Sequence, residues 1–206
     1  MKRLLAFLLL TAMLVSLAAC GSKSNENILG VYTKDSNTYV NDFIGIGCKL
    51  DTGWEVFSEE QIAELNGMAA DLMTDKALAE QLEGDGVAQP FFAQAEEGLV
   101  TVNITLENIG VLYGSLMDEK QYAEKSLPQI APALKALGLS DVTTEIGSVT
   151  FAGKEHVAIT VKASLEGFDF YETVVCMKVG NYMANITAGS YFSDKTGDVL
   201  SMFYAL

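Results

Sequence analysis

The last third of the chain carries four runs of β-forming residues joined by connections too short for anything but a reversal of direction. The runs are residues 142–151, 155–164, 168–179 and 182–190. The pairs between them all contain glycine, namely Ala152-Gly153, Glu166-Gly167 and Gly180-Asn181. Connections this short join antiparallel neighbours, because a parallel crossover needs a much longer segment. The runs therefore predict a four-stranded antiparallel meander.

An earlier pair of runs, 87–95 and 100–108, predicts a β-hairpin joined through Glu96-Glu97-Gly98. The second run alternates between apolar and polar residues, which indicates one buried face and one solvent face. Its polar face consists of Thr101, Asn103 and Thr105. Pro90 lies in the first run and indicates a strand edge or a bulge. Phe91 and Phe92 follow it, so they are the candidate partner-contact residues if this edge exposes them.

Helical patterns lie between and after these strands. Residues 58–73 open with Ser58 and Gln61 at the spacing of a capping box. Residues 118–137 form a second helical region, which we expect to be kinked or split near Ser126 because it contains two prolines. A short third helix is predicted from residue 193 to about residue 204.

Strands and helices are segregated along the chain rather than alternating, which predicts an α+β fold around a mostly antiparallel sheet. The run Thr173 to Val179 is apolar at nearly every position, which indicates burial on both sides. We therefore expect helices on both faces of the sheet.

The N-terminus has the pattern of an export signal. Lys2 and Arg3 precede an uncharged apolar run that ends at Ala19. This run is shorter than the roughly 20 residues that a membrane-spanning helix needs, so it indicates a signal peptide. Its end, Leu17-Ala18-Ala19-Cys20, resembles the lipobox of bacterial lipoproteins. The resemblance implies that Cys20 carries a diacylglyceryl group and becomes the first residue after cleavage.

These signals divide the chain into three parts. Residues 1–19 are the lipoprotein signal peptide, residues 20–37 are the lipidated cysteine with a polar tether, and residues 38–206 are a single domain. Placement at the cell membrane, on its extracytoplasmic face, follows from this division. The sequence leaves open whether the bacterium has one membrane or two.

The charge of the chain excludes some classes of partner. The full chain has a formal net charge of −14, and losing Lys2 and Arg3 brings it to −16. A surface with this much negative charge repels phosphate groups. We therefore expect no nucleic-acid partner. Apart from Cys20, the chain has two cysteines, Cys48 and Cys176, and the sequence leaves open whether they form a disulfide or are buried as free thiols.

The residues needed for common catalytic and metal sites are missing. His156 is the only histidine, which excludes Ser-His-Asp and multi-histidine arrangements. No glycine-rich phosphate-binding motif is present, and no loop has the ligand spacing of a calcium site. We therefore expect neither enzymatic activity nor a bound cofactor.

The segment 39–54 resembles the opening of PsbP-like domains. The matching residues are Tyr39, Asn41, Phe43, Gly45, Gly53 and Trp54. Asp51-Thr52 replace the proline that often precedes the Gly-Trp pair of that family. The resemblance implies a three-layer α/β/α sandwich over residues 38–206, and it favours partner binding over catalysis by analogy.

Together these features predict a non-catalytic, lipid-anchored monomer outside the cytoplasm, acting as a protein-binding or envelope-accessory domain. Its partners would be the membrane, through the lipid, and an envelope protein. The alternative is a small-ligand or metal-binding lipoprotein that serves an uptake system.

Overall fold

The structure is a computed structural model that describes residues 28–72 and 87–206. Cys20, the signal peptide and the first part of the predicted tether lie outside the described residues. Within the described ranges, no helix combines the length and the apolar character needed to cross a bilayer.

A seven-stranded antiparallel sheet forms the centre of the fold, with strand order β4-β5-β6-β10-β9-β8-β7. Its strands are β4 (Glu55–Val56), β5 (Val87–Ala95), β6 (Val100–Asn108), β7 (Ser140–Phe151), β8 (Lys154–Leu165), β9 (Phe168–Val179) and β10 (Tyr182–Tyr191). The predicted hairpin is β5–β6 and the predicted meander is β7 to β10, so both predictions are confirmed. The register shifts between Ala88 and Phe91, which confirms a bulge at Pro90.

A smaller antiparallel sheet has the strand order β1-β2-β3-β11. Its strands are β1 (Val31–Thr33), β2 (Thr38–Asn41), β3 (Ile46–Lys49) and β11 (Phe203–Ala205). The helices are α1 (Glu59–Leu72), α2 (Gly110–Leu116), α3 (Glu119–Ala136) and α4 (Thr196–Leu200). The predicted C-terminal helix is therefore shorter than expected, because its last residues form β11 instead.

The two faces of the larger sheet are covered differently, which departs from our expectation of helices on both. On one face, α3 packs over β7, β8 and β9, and α1 packs against Phe92 of β5. On the other face, apolar residues of the smaller sheet such as Ile46 and Cys48 pack against Ile104 and Ile186, and α4 adds Val199. The described chain is thus α+β, with the smaller sheet where a second helical layer was expected.

The folded domain begins earlier than the boundary predicted at residue 38. Ile28 is buried, and its carbonyl accepts a hydrogen bond from Asn41 Nδ2 at 2.9 Å. The Tyr39 hydroxyl donates to the Leu29 carbonyl at 3.0 Å, and β1 pairs with β2. Residues 28–37 therefore belong to the domain, because side chains of β2 hold their backbone in place.

The helix α3 is continuous, although a split near Ser126 was expected from Pro128 and Pro132. It begins at a capping box in which Asp118 and Gln121 exchange side-chain to backbone hydrogen bonds. Tyr122 and Ala123 lie before the prolines and Leu134 lies after them, and all three are buried against the sheet. This packing on both sides stabilises one helix across the lost backbone hydrogen bonds.

The first residue of α3 supplies a carboxylate to the point where β8 and β9 separate. Pairing of these strands begins at Val157 and Cys176. One oxygen of Glu119 accepts the Lys178 N–H at 3.1 Å and lies 2.9 Å from His156 Nδ1, and the other accepts the Val157 N–H at 3.2 Å. Glu119 therefore satisfies two backbone donors at this separation and orients the histidine ring.

Replacing Glu119 with alanine is expected to lower the free energy of unfolding by about 3 kcal/mol. The substitution removes a charged acceptor and leaves two backbone N–H groups without a hydrogen-bond partner from this side chain. Chemical denaturation measures this value. Glu124→Ala is the matched control, because Glu124 is an exposed residue of the same helix whose contact with Lys120 is 3.8 Å long. Equal stability of Glu119→Ala and Glu124→Ala would contradict the structural role of Glu119.

Candidate functional site

Phe91 and Phe92 were predicted to contact a partner on the premise that the edge of β5 exposes them. Both side chains are buried, so this premise is wrong. Phe91 is 2% exposed and stacks on the Tyr39 ring with centroids 4.4 Å apart. Phe92 is 0% exposed and meets the Phe57 ring edge-on at 4.8 Å. Both rings are covered because β1–β2 packs on one face of β5 and the start of α1 packs on the other.

A surface cleft of about 430 Å³ lies beside these buried rings. We call it the β5 cleft. Its lining includes Leu29, Tyr32, Val56, Glu59, Gln89 and Pro90. The cleft thus lies between the N-terminal strand pair, the start of α1 and the bulge of β5.

The outer edge of β5 is only partly paired. β4 pairs with Ala93 and Gln94, and the Phe57 N–H donates to the Phe92 carbonyl at 3.0 Å. Within residues 28–72 and 87–206, no strand pairs with the outer edge of 87–91. A sheet edge of this kind offers backbone donors and acceptors to an added strand.

Gln89, a residue of this edge, has a buried side-chain amide. Both its amide oxygen and its amide nitrogen are buried, and neither has a hydrogen-bond partner among the described residues. Buried amides are nearly always paired in folded proteins. Among the described residues, the Gln89 amide therefore has an unused donor and acceptor, and both atoms are enclosed rather than open to the β5 cleft.

A second polar feature lies inside the fold, where two identical Asn-Ile-Thr triplets face each other. Thr105 of β6 lies opposite Asn185 of β10, and Asn103 lies opposite Thr187. We call these four residues the Asn-Thr square. They are 0–2% exposed, so the polar face of 100–108 is buried, contrary to the predicted solvent face.

A hydrogen-bonded chain connects this square to α3. Asn185 Nδ2 donates to the Tyr122 hydroxyl at 2.9 Å, and that hydroxyl donates to Glu107 Oε2 at 2.7 Å. Burial, together with the neighbouring Glu107, raises the pKa of Tyr122 well above its ordinary value. Tyr122 therefore stays protonated and keeps donating to the carboxylate.

Four buried side-chain oxygen atoms of the Asn-Thr square have no hydrogen-bond partner within the described part of the chain. They are Asn103 Oδ1, Thr105 Oγ1, Asn185 Oδ1 and Thr187 Oγ1. A buried polar atom without any hydrogen-bond partner lowers the free energy of unfolding by about 1–3 kcal/mol. Two amide oxygens and two hydroxyls suit ordered water or a small ligand rich in hydrogen-bond donors.

The sequence left open whether Cys48 and Cys176 form a disulfide, and the structure shows that they do not. Cys48 and Cys176 are both buried and free. Burial raises the pKa of each thiol to about 12, so neither is a thiolate near neutral pH. Among the described residues, no three His, Cys, Asp or Glu side chains are grouped closely enough to hold a metal ion.

No protein-family model and no curated sequence matches this chain. Eighteen chains of solved structures are similar in fold. One is a crystal structure of a Bacteroides thetaiotaomicron VPI-5482 protein, with a TM-score of 0.43 and 10% identity, covering 79% of this chain and 45% of that one. This chain thus spans less than half of the Bacteroides protein.

Another similar structure is LpqN of Mycobacterium tuberculosis, described as involved in cell envelope biogenesis. It has a TM-score of 0.35 and 11% identity, and 76% of each chain is covered.

Proposed function

We propose that this chain is a lipid-anchored protein on the extracytoplasmic face of the cell membrane that acts without catalysis and binds an envelope protein. The signal-peptide pattern and the lipobox ending at Cys20 support the location. Two acyl chains hold a protein to a bilayer far better than one, which suits an acidic body that anionic lipid headgroups repel. The resemblance to PsbP-like domains supports partner binding by analogy.

The β5 cleft is the observation that carries this proposal. Its partner would add an extended segment along 87–91, continuing the line of β4, and the backbone of that segment would pair with the open edge of β5. Leu29 is 37% exposed at the rim and would pack against a side chain of the partner. The chain would act as a monomer, one cleft binding one partner.

The cleft also lies close to the predicted anchor. Ile28 is eight positions beyond Cys20, and a fully extended chain of that length spans at most about 29 Å. Leu29, the next residue, lines the cleft. A partner embedded in the same membrane, or bound at its surface, is therefore within reach.

A photo-cross-linking residue at position 59 is expected to capture one envelope protein in intact cells, because Glu59 is exposed and lines the β5 cleft. Lys154, exposed in the turn between β7 and β8, is the matched control position and is expected to capture no such protein. Mass spectrometry identifies the captured chain.

A second pair of variants tests the cleft itself. Leu29→Asp should abolish the cross-link from position 59, whereas Val31→Asp should not, since Val31 is 66% exposed and lies outside the lining. Capture that is equal from positions 59 and 154, or unchanged by Leu29→Asp, would contradict the assignment of the cleft.

The second candidate function is a small-ligand or metal-binding lipoprotein that serves an uptake system. The Asn-Thr square favours it, because its four unpartnered oxygen atoms are buried together on one sheet face. Amide and hydroxyl groups recognise neutral hydroxyl-rich ligands, and their oxygens also suit hard cations.

Thr105→Val tests this candidate, because it removes one hydroxyl of the square with little change in volume. A ligand present at a hundred times its Kd stabilises the native state by about 2.7 kcal/mol. We therefore expect glucose, glycerol or calcium to raise the Tm of the full chain by about 5–10 °C, but not that of Thr105→Val. Thr150→Val, at an exposed position of β7, should respond like the wild type.

Two measurements together would contradict the second candidate function. If none of these compounds shifts the Tm and Thr105→Val is more stable than the wild type, the hydroxyl is simply a dry, unpaired group, and the second candidate is wrong.

A further inference from the structure

Two aromatic rings are exposed together at one end of the larger sheet. Phe168 is 52% exposed and Phe192 is 53% exposed. Their rings meet edge-to-face, with centroids 5.1 Å apart and planes at 72°. Phe168 begins β9 and Phe192 follows the last residue of β10, so both belong to the same end, which we call the distal pole.

The backbone of Phe192 is held in a conformation that a bulky residue rarely adopts. Its φ is 68°, in the left-handed region. The Phe192 N–H donates to the Asp169 carbonyl at 2.9 Å, which fixes this conformation against β9. Backbone strain of this kind persists where the surrounding structure enforces it, and it is concentrated at functional sites.

Positive φ values recur at this pole. The structure has seven non-glycine residues with positive φ in its described part, and five of them lie here: Glu96, Glu97, Asp141, Glu166 and Phe192. Strand pairing places Asp141 at the pole, because its neighbour Ser140 pairs with Ser164, which in turn pairs with Asp169. The Leu99 carbonyl accepts the Tyr191 N–H at 3.0 Å and places the turn containing Glu97 there too.

Several acidic residues are exposed at the same pole as the two rings, and we call them the acidic rim. Its exposed members are Glu97, Asp141, Glu166, Asp169 and Asp194. Lys195, the basic residue beside them, lies 2.5 Å from a carboxylate oxygen of Glu96, so its charge is already paired. The pole therefore combines an apolar aromatic centre with a negatively charged periphery.

The pole lies away from the point where the chain joins the predicted anchor. A chain of contacts places Ile28 near the start of β10. The Ile28 carbonyl accepts a hydrogen bond from the Asn41 side chain, and the Asn41 side-chain oxygen accepts the Phe43 N–H. The Phe43 ring in turn contacts the Tyr182 ring. Tyr182 begins β10, whereas Phe192 follows its end, and ten strand residues span about 33 Å. A molecule anchored at Cys20 would thus present the distal pole away from the membrane.

We propose that the distal pole is a second binding surface, one that docks an arginine-bearing protein segment. An arginine side chain would stack on the Phe168–Phe192 pair, while neighbouring cations of the segment would face the acidic rim. The acidic rim disfavours an anionic bilayer and also a second copy of this chain, because two such poles repel each other. The inference goes beyond the proposed function and is independent of the β5 cleft.

The test uses the full lipidated chain in nanodiscs of neutral phosphatidylcholine, with a fluorescein-labelled hexa-arginine peptide as the probe. Phe192→Gly removes the ring and suits the φ of 68°, so the variant should keep or raise its Tm. We expect saturable binding that Phe192→Gly weakens at least tenfold by fluorescence anisotropy. Val111→Gly, at a 76% exposed apolar position elsewhere, should leave the affinity unchanged.

Two further measurements distinguish the contribution of the aromatic rings to binding from that of the acidic charge. Asp169→Asn should weaken binding a few-fold and reduce its salt dependence, and hexa-lysine should bind more weakly than hexa-arginine because it stacks less well. Unchanged affinity in Phe192→Gly, an equal loss in Val111→Gly, or no saturable binding to the wild type would each overturn the proposal. Self-association of the chain that Phe192→Gly abolishes would also overturn it and would identify a second copy as the occupant.

Discussion

The pairing of β6 with β10 is the interaction on which the rest of this structure depends. It joins a hairpin from the middle of the chain to a meander at its end, in a continuous register from Val100 opposite Ser190 to Asn108 opposite Tyr182. Its central pair, Ile104 and Ile186, faces the smaller sheet and forms part of that core. The neighbouring asparagines and threonines face the opposite side. One pairing therefore creates both an apolar core and a buried polar surface.

The same pairing separates the two ends of the molecule. β5 is held against β6, and its bulge opens the β5 cleft near the residues that lead to the predicted anchor. The end of β10 carries Phe192 at the opposite end of the strand. A lipid-anchored chain with one binding surface near the membrane and another away from it would bridge two partners. Such a role would depend on the geometry and charge of the two surfaces.

Local patterns in the sequence were sufficient to predict the meander, the hairpin, the bulge at Pro90 and the capping box at Ser58, because each depends on nearby residues. Contacts between distant segments were not predictable in this way. Phe91 and Phe92 are adjacent to a proline on a partly open edge, yet Tyr39 and Phe57 cover them. The repeated Asn-Ile-Thr triplet was a visible signal, but only the β6–β10 register shows that its two copies face each other. Phe192 gave no signal, because neither its exposure nor its positive φ is visible in the local sequence.

A domain that works while anchored at Cys20 must carry its lipid in the cell, and the intact mass of the native chain measures this. The chain should be purified from the membrane fraction of a bacterium that expresses it, and its mass compared with that of Cys20→Ser. We expect a chain that lacks residues 1–19 and carries a diacylglyceryl group at Cys20, whereas Cys20→Ser should leave the membrane fraction. A wild-type chain without lipid, or one that retains residues 1–19, would contradict the claim.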